Sequence, residues 1–294
     1  SLRTWINGEP VAHVVDERTA RGLIALQVHS INDPGDAGRR VLWRNLRIQT
    51  RDLEPSPRDE IPIRNLIPNT VGDMEKAAGW RSLWDGQTTK GWRGARQETF
   101  PASGWKIENG ELIVIESGGG ESRAGGDIVT EEEFSAFELQ LEFKLAPGAN
   151  SGIKYFVREE ITPLGGSAIG LEYQLLDDER HPDAKAGVEG NRTLASLYDL
   201  IPRGPMPGGL AIVPRIGEWQ HARLVVRPDK TVEHWLNGIK VVAYERGSPD
   251  YRERVARSKY REIPDFGLAP KGRILLQDHG NQVHFRSVKI RTLQ

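Results

Sequence analysis

Apolar and polar residues alternate without a break in Phe137-Glu138-Leu139-Gln140-Leu141-Glu142-Phe143-Lys144-Leu145. A period of two is what an extended strand shows when one face is apolar and the other charged. Shorter strand-like runs lie at 153–157, 171–176, 222–226, 232–236, 241–244, 274–277 and 283–290. Asn109-Gly110, between Trp105-Lys106-Ile107 and Leu112-Ile113-Val114-Ile115, and Asn237-Gly238 predict hairpins, because Asn and Gly accept the positive φ angles of a type I′ turn. Over 79–294 no long amphipathic helical pattern occurs, and Tyr251 to Tyr260 predicts only a short surface helix. The fold class this predicts is all-β, a two-sheet antiparallel sandwich of jelly-roll type.

The pattern also repeats. Trp5-Ile6-Asn7-Gly8, then Gly22 to His29, then Val41 to Ile48 return in the same order as Trp235-Leu236-Asn237-Gly238, Gly272 to His279, and Val283 to Ile290. Repeats of this kind divide a chain. Residues 1–50 are expected to be the C-terminal remnant of a first, related β-domain, 51–78 a Pro- and charge-rich linker, and 79–294 a complete domain. Three strand-like segments are too little for an independent core, so Trp5, Ile24, Leu26 and Trp43 are expected to be buried against the complete domain.

Composition narrows the function. The 294 residues hold 40 basic and 41 acidic side chains and a net charge of −1, which removes the basic bias that nucleic-acid binding would bring. No run approaches the ~18 apolar residues of a membrane span, and Ser1-Leu2-Arg3-Thr4-Trp5 resembles neither an initiator Met nor a signal peptide, so the chain is expected to begin inside a longer protein. The absence of cysteine excludes disulfides, thiolate zinc sites and cysteine nucleophiles.

Candidate chemistry gathers in two blocks. Gly148-Ala149-Asn150-Ser151-Gly152 opens a strand that continues through Lys154, and Gly170 to Asp183 puts Glu172 and Gln174 on one strand face, with Asp177 at an odd step and His181 beyond it. This spacing is similar to the Glu-x-Asp-x-x-Glu strand of laminarinase-like glycosidases, but Gln174 and Asp177 depart from it. The departures speak against a retaining double displacement, which needs two carboxyl groups about 5–5.5 Å apart. His181, His234 and His279 lie beside polar motifs and are the side chains suited to proton exchange near neutral pH. Gln277 and His279 share a face, Trp235 reads as core or as a sugar-stacking platform, and Gly118-Gly119-Gly120 with Gly125-Gly126 reads as flexible loop.

Taken together these blocks, with Asn191 to Leu200, Gly217-Glu218-Trp219, Glu233 to Gly238 and Leu276 to Gly280, resemble the 3-keto-disaccharide hydrolase family across essentially all of 79–294, and the N-terminal blocks resemble a partial second copy. The resemblance implies a concanavalin A-like jelly-roll sandwich, a periplasmic or extracellular bacterial setting, and cleavage of glycosides already oxidised at C3. A C3 ketone acidifies the C2 proton, so a base can remove it and the C1 oxygen can leave by β-elimination, with or without later addition of water. On this reading His181 is the expected base and Lys154 the enolate stabiliser, while Glu172 and Asp177 orient these groups, donate a proton or ligate a divalent cation. Asn150, Gln174, Tyr198, His234, Trp235, Gln277 and His279 are expected to bind substrate.

The expected partner is a carbohydrate, with self-association or a missing N-terminal segment as further partners left open. Two other classes stay open, a non-catalytic carbohydrate-binding module and a scaffold domain. Ionisable groups clustered in a cleft would favour the enzyme; a flat aromatic strip would favour the binding module.

Overall fold

The computed structural model describes residues 1–27, 34–36, 38, 40–53, 63–121, 125–160, 168–205, 209 and 212–294. It divides into two compact units, Ser1–Arg64 and Asn65–Gln294.

In the first unit, strands β1 (Leu2–Ile6) and β2 (Glu9–Val15) form an antiparallel hairpin. Its turn residues Asn7 and Gly8 have φ of 53° and 86°, close to the 51° and 88° of Asn237 and Gly238, so the first block of the repeat has the same turn in both places. The other two blocks differ. Gly22 to Gln27 and Val41 to Ile48 form no strand, His29 lies outside the described residues, and Trp5, Ile24, Leu26 and Trp43, expected to be buried, are 46, 80, 45 and 54% exposed. Among the described residues these apolar segments have no ladder partner, and their side chains are exposed.

Strand β3 (Arg64–Asn65) spans the unit boundary, and the second unit is built from β4 (Arg81–Ser82), β5 (Trp92–Gly94), β6 (Trp105–Glu108), β7 (Glu111–Val114), β8 (Ile128–Thr130), β9 (Phe137–Leu145), β10 (Asn150–Arg158), β11 (Ile169–Leu176), β12 (Gln220–Val226), β13 (Thr231–Leu236), β14 (Ile239–Glu245), β15 (Arg273–Leu276) and β16 (Val283–Thr292). One sheet has the order β11-β10-β15-β8-β5; the other runs β14-β13-β12-β9-β16-β7-β6, with β4 also on β16. Their ladders are antiparallel, as the alternation and the Asn-Gly turns require. The core lies between them, with Leu139, Leu141 and Phe143 of β9 packed in one cluster with Ile153 and Tyr155 of β10, Leu171 and Tyr173 of β11, and Leu276 of β15. This is the expected all-β sandwich.

Two details depart from the sequence reading. The charged face of β9 is buried too: Glu138, Gln140 and Glu142 are 2, 1 and 6% exposed. Arg223 and Arg291 reach Glu138 at 2.5 and 2.9 Å, and Arg286 reaches Glu142 at 2.8 Å, so cross-strand ion pairs cover that face. The compact unit also starts ahead of Gly79. Asn69 donates to the Gly110 carbonyl at 2.8 Å, and helix α1 (Asp73–Ala77) buries Glu75 against Lys289, which anchors the second half of the expected linker. Helix α2 (Pro249–Arg257) fits the expected short helix, with Ser248 accepting from the Tyr251 N–H at 3.2 Å as its N-cap.

Candidate active site

Strands β10 and β11 pair with Lys154 opposite Glu172 and Gly152 opposite Gln174. Because side chains repeat every two residues, Glu172 and Gln174 stand on one face, away from the core-facing Leu171, Tyr173 and Leu175. Gly152 leaves the room this needs: a Cβ there would meet Glu172 Oε1 at 2.3 Å. Gln174, with its amide turned to satisfy both ends, donates to Glu172 Oε1 and to the Ser151 carbonyl at 3.0 Å each.

A cavity of about 360 Å³ opens over this face, lined by Glu121, Asn150, Glu172, Gln174, His181, Pro182, Asp183, Ala186, Tyr198, Lys259, Gln277 and His279. Six of these twelve are Glu, Asp, His or Lys, and Tyr198 is the one aromatic ring beyond the two imidazoles. The wall is therefore ionisable rather than a flat aromatic strip.

Irregular segments bring the remaining side chains in. Residues 191–201 lie along the free edge of β11: Ala195 N–H donates to the Gln174 carbonyl at 2.7 Å, Gln174 N–H to Ser196 at 3.2 Å, and Tyr198 N–H to Glu172 at 3.0 Å. That edge pairing sets Tyr198 at the cavity, where its hydroxyl donates to Asp183 at 2.7 Å. Asp183 also accepts from Arg192 at 2.9 Å. The glycine segment expected to be a flexible loop is hydrogen-bonded along the end of β15, with Ser117 and Gly119 N–H donating to the Gly280 carbonyl at 3.0 Å and Gly120 N–H to His279 at 2.8 Å. It delivers Glu121, which accepts from Gln277 Nε2 at 3.1 Å and lies 3.6 Å from the Lys154 ammonium.

The electrostatics follow from burial. Glu172 is 5% exposed, and removal from water pushes its carboxyl up to about 7, against the opposing pull of Lys154 and Lys259. Burial works against the charge of Lys154, yet the surrounding Glu172, Asp127 and Glu121 outweigh it and raise its pKa, so it stays an ammonium. His181 is lowered, first by burial and then by the neighbouring His279, whose ring meets it edge-on at 5.9 Å. His181 Nδ1 accepts the Asp183 N–H at 3.2 Å, which leaves the proton of the neutral ring on Nε2.

Of the sequence-derived site residues, Asn150, Glu172, Gln174, His181, Tyr198, Gln277 and His279 line this one cavity. Lys154 does not; it is buried with its ammonium near Glu121. Asp177 is not brought to the cavity, because its carboxylate turns back to accept the N–H groups of Gly148 at 2.8 Å and Glu179 at 3.2 Å and pairs with Arg180 at 3.1 Å. It stabilises the turn after β11. Glu172 and Asp177 are thus not joined as metal ligands, and among the described residues no group of three or more His, Asp or Glu is arranged to hold a metal ion. His234 is fully buried inside the sandwich, and Trp235 instead donates to Glu233 at 2.9 Å with the Arg223 guanidinium 4.6 Å from its ring. Glu121, Asp183 and Lys259 escaped the sequence reading because each arrives on a turn or, for Asp183, a short 3-10 helix (Pro182–Lys185) whose path no period encodes.

The profile of the 3-keto-alpha-glucoside-1,2-lyase-like domain matches residues 79–291. A 3-keto-disaccharide hydrolase of Bacteroides thetaiotaomicron is 35% identical over 240 residues, covering 74% of this chain and 79% of the relative. A Parabacteroides distasonis structure assigned provisionally as a glycosyl hydrolase is 30% identical with a TM-score of 0.65, covering 78% of this chain and all (100%) of that one. A second structure from the same species, given the same provisional assignment, shares the fold at 22% identity and a TM-score of 0.53, over 73% of this chain and 99% of that one. The chain belongs to the 3-keto-alpha-glucoside-1,2-lyase-like domain family.

Proposed function

We propose that this protein cleaves the glycosidic bond of glycosides oxidised at C3, through removal of the C2 proton and β-elimination of the C1 oxygen. The observation that carries this reading is Glu172, a carboxyl group held near pKa 7 on the wall of a cavity rich in ionisable groups. A base poised at the working pH matches the modest acidity of a proton beside a ketone.

The steps balance without a covalent enzyme intermediate. Glu172 takes the C2 proton, the C–H electron pair forms C2=C3, and the carbonyl pair moves onto O3. Return of that pair restores the ketone, forms C1=C2 and expels the C1 oxygen, which takes up one proton; Glu172, now a carboxylic acid, holds a proton to give. Water adding across C1=C2 completes hydrolysis, and release before that step makes the same chemistry a lyase reaction.

The tautomer of His181 changes the role expected for it. With Nδ1 occupied by the Asp183 N–H, the neutral ring offers Nε2–H, a hydrogen-bond donor and not a free base. It suits an oxygen that gains charge. Asn150, Gln174, Gln277 and His279 supply the neutral hydrogen-bonding groups that sugar hydroxyls need. No step in this scheme requires a metal, and the site lies in the family-matched unit.

The test is incubation with a 3-keto-glucoside and with its unoxidised parent, products followed by NMR. Cleavage confined to the keto sugar is the expected outcome. Equal turnover of both would show that the ketone is not used.

A further inference from the structure

Lys154 was the cation expected to face the substrate, but the structure puts another one there. We propose that Lys259 is the catalytic residue that stabilises the enolate oxygen at C3, an inference that rests on the β-elimination reading above. Lys259 lines the same cavity as Glu172 and His181, whereas Lys154 does not.

The local fold holds Lys259 in place. Helix α2 ends at Ser258, whose hydroxyl donates to the Val255 carbonyl at 2.9 Å and accepts the Tyr260 N–H at 3.0 Å. The Lys259 N–H donates to Asp199 at 2.8 Å, and the other oxygen of Asp199 takes Arg192 at 2.7 Å. These bonds tie the residue to the 191–201 segment that also carries Tyr198. The ammonium then sits 4.3 Å from the Tyr198 ring centroid and 5.1 Å from that of Tyr260, a cation–π seat between two rings.

The other cations nearby are held in close ion pairs. Lys154 lies 3.6 Å from Glu121, Arg192 is tied to Asp183 and Asp199, and Arg203 is tied to Asp178. No ion pair of Lys259 within 4 Å occurs among the described residues. The two rings crowd the ammonium end of an otherwise exposed side chain. Burial of that end lowers its pKa; Glu172, Glu121 and Asp199 oppose this, and the Lys154 charge adds to it. A cation in no close ion pair, on the same cavity wall as a carboxyl that removes the C2 proton, is the arrangement an enolate demands: the base gains the proton as the negative charge moves to O3 next to the ammonium.

The discriminating experiment is steady-state cleavage of a 3-keto-glucoside by wild type, Lys259→Met and Lys259→Arg, with thermal melting of each. Loss of one transition-state donor is expected to lower kcat about 10²–10³-fold in the Met variant. KM and melting temperature should change little, and Arg should recover a large part of the loss because it restores the charge. A Met variant within about threefold of wild-type kcat, or an Arg variant as slow as Met, overturns the role of Lys259 while leaving the cleavage reaction standing. A wild type inert toward the 3-keto sugar sinks the underlying reaction instead, which separates the two failures.

Discussion

Glu172 concentrates the residue-scale argument, since one carboxyl must be buried enough to be basic and open enough to meet substrate. As the base it works only when ionised, so kcat/KM should rise with pH and level off above about pH 7, the value to which burial pushes it. A pH–rate profile checks this, and Glu172→Gln should remove the limb with at least about a hundredfold loss of rate. Gly152 carries a linked prediction. Gly152→Ala puts a methyl carbon 2.3 Å from Glu172 Oε1, so the carboxyl must turn away. A displacement of roughly 1 Å at a catalytic group costs up to about 10²-fold. The variant should therefore melt near wild type yet lose activity, and kinetics beside calorimetry would show it. At this scale much of the site was legible: Glu172 with Gln174 from a period of two, Gln277 with His279 likewise. The roles were not, because the tautomer of His181 and the fourfold occupation of Asp177 depend on backbone groups that only the folded turn supplies.

Elements met the sequence reading best where the period was long. Strands β9 to β16 fall on the runs that alternate, and the Asn109 and Asn237 turns take positive φ of 52° and 51°. What periodicity could not show is how the sheets are joined. His234 of β13 crosses the core and donates from Nδ1 to the Ala195 carbonyl at 3.1 Å, while its Nε2 takes the Tyr155 hydroxyl at 2.9 Å and Tyr155 in turn accepts from Tyr244 at 2.8 Å. Only the neutral ring can do both. Ala195 itself has φ of 65°, so this bond holds a backbone conformation that a non-glycine residue seldom takes, in the loop that carries Tyr198. Burial pulls His234 down to about 4, below its ordinary 6.5. The unfolded chain therefore binds this proton first. The stability His234 confers is complete above pH 6.5 and is lost as pH falls toward 4, by about 3 kcal/mol in all. Urea unfolding at pH 7 and pH 4.5 measures it. His234→Phe should unfold more easily at pH 7, by about 1–3 kcal/mol for each buried group left unpaired, and should show a shallower decline with acid.

At the scale of the whole molecule, the cavity belongs to one sandwich: its lining residues among those described lie between Glu121 and His279, inside the compact unit that begins at Asn65. The described residues of the first unit include none of them. Its hairpin shares the Asn-Gly turn of β13 and β14, but the segments that match β15 and β16 remain without strand structure, because a strand forms only where a ladder partner is present. Sequence similarity between the two regions thus carried the turn, a local feature, and not the sheet, which depends on distant partners. The central claim, that cleavage passes through loss of the C2 proton, is tested most directly by running the reaction of a 3-keto-glucoside in D₂O and reading C2 of the sugar product by NMR, corrected for exchange in enzyme-free substrate. The account expects the original C2 hydrogen to be gone, replaced by deuterium where water has added and absent where the unsaturated sugar is released. A product that keeps its original hydrogen at C2 would contradict it and would mean that the bond is broken by direct displacement at C1.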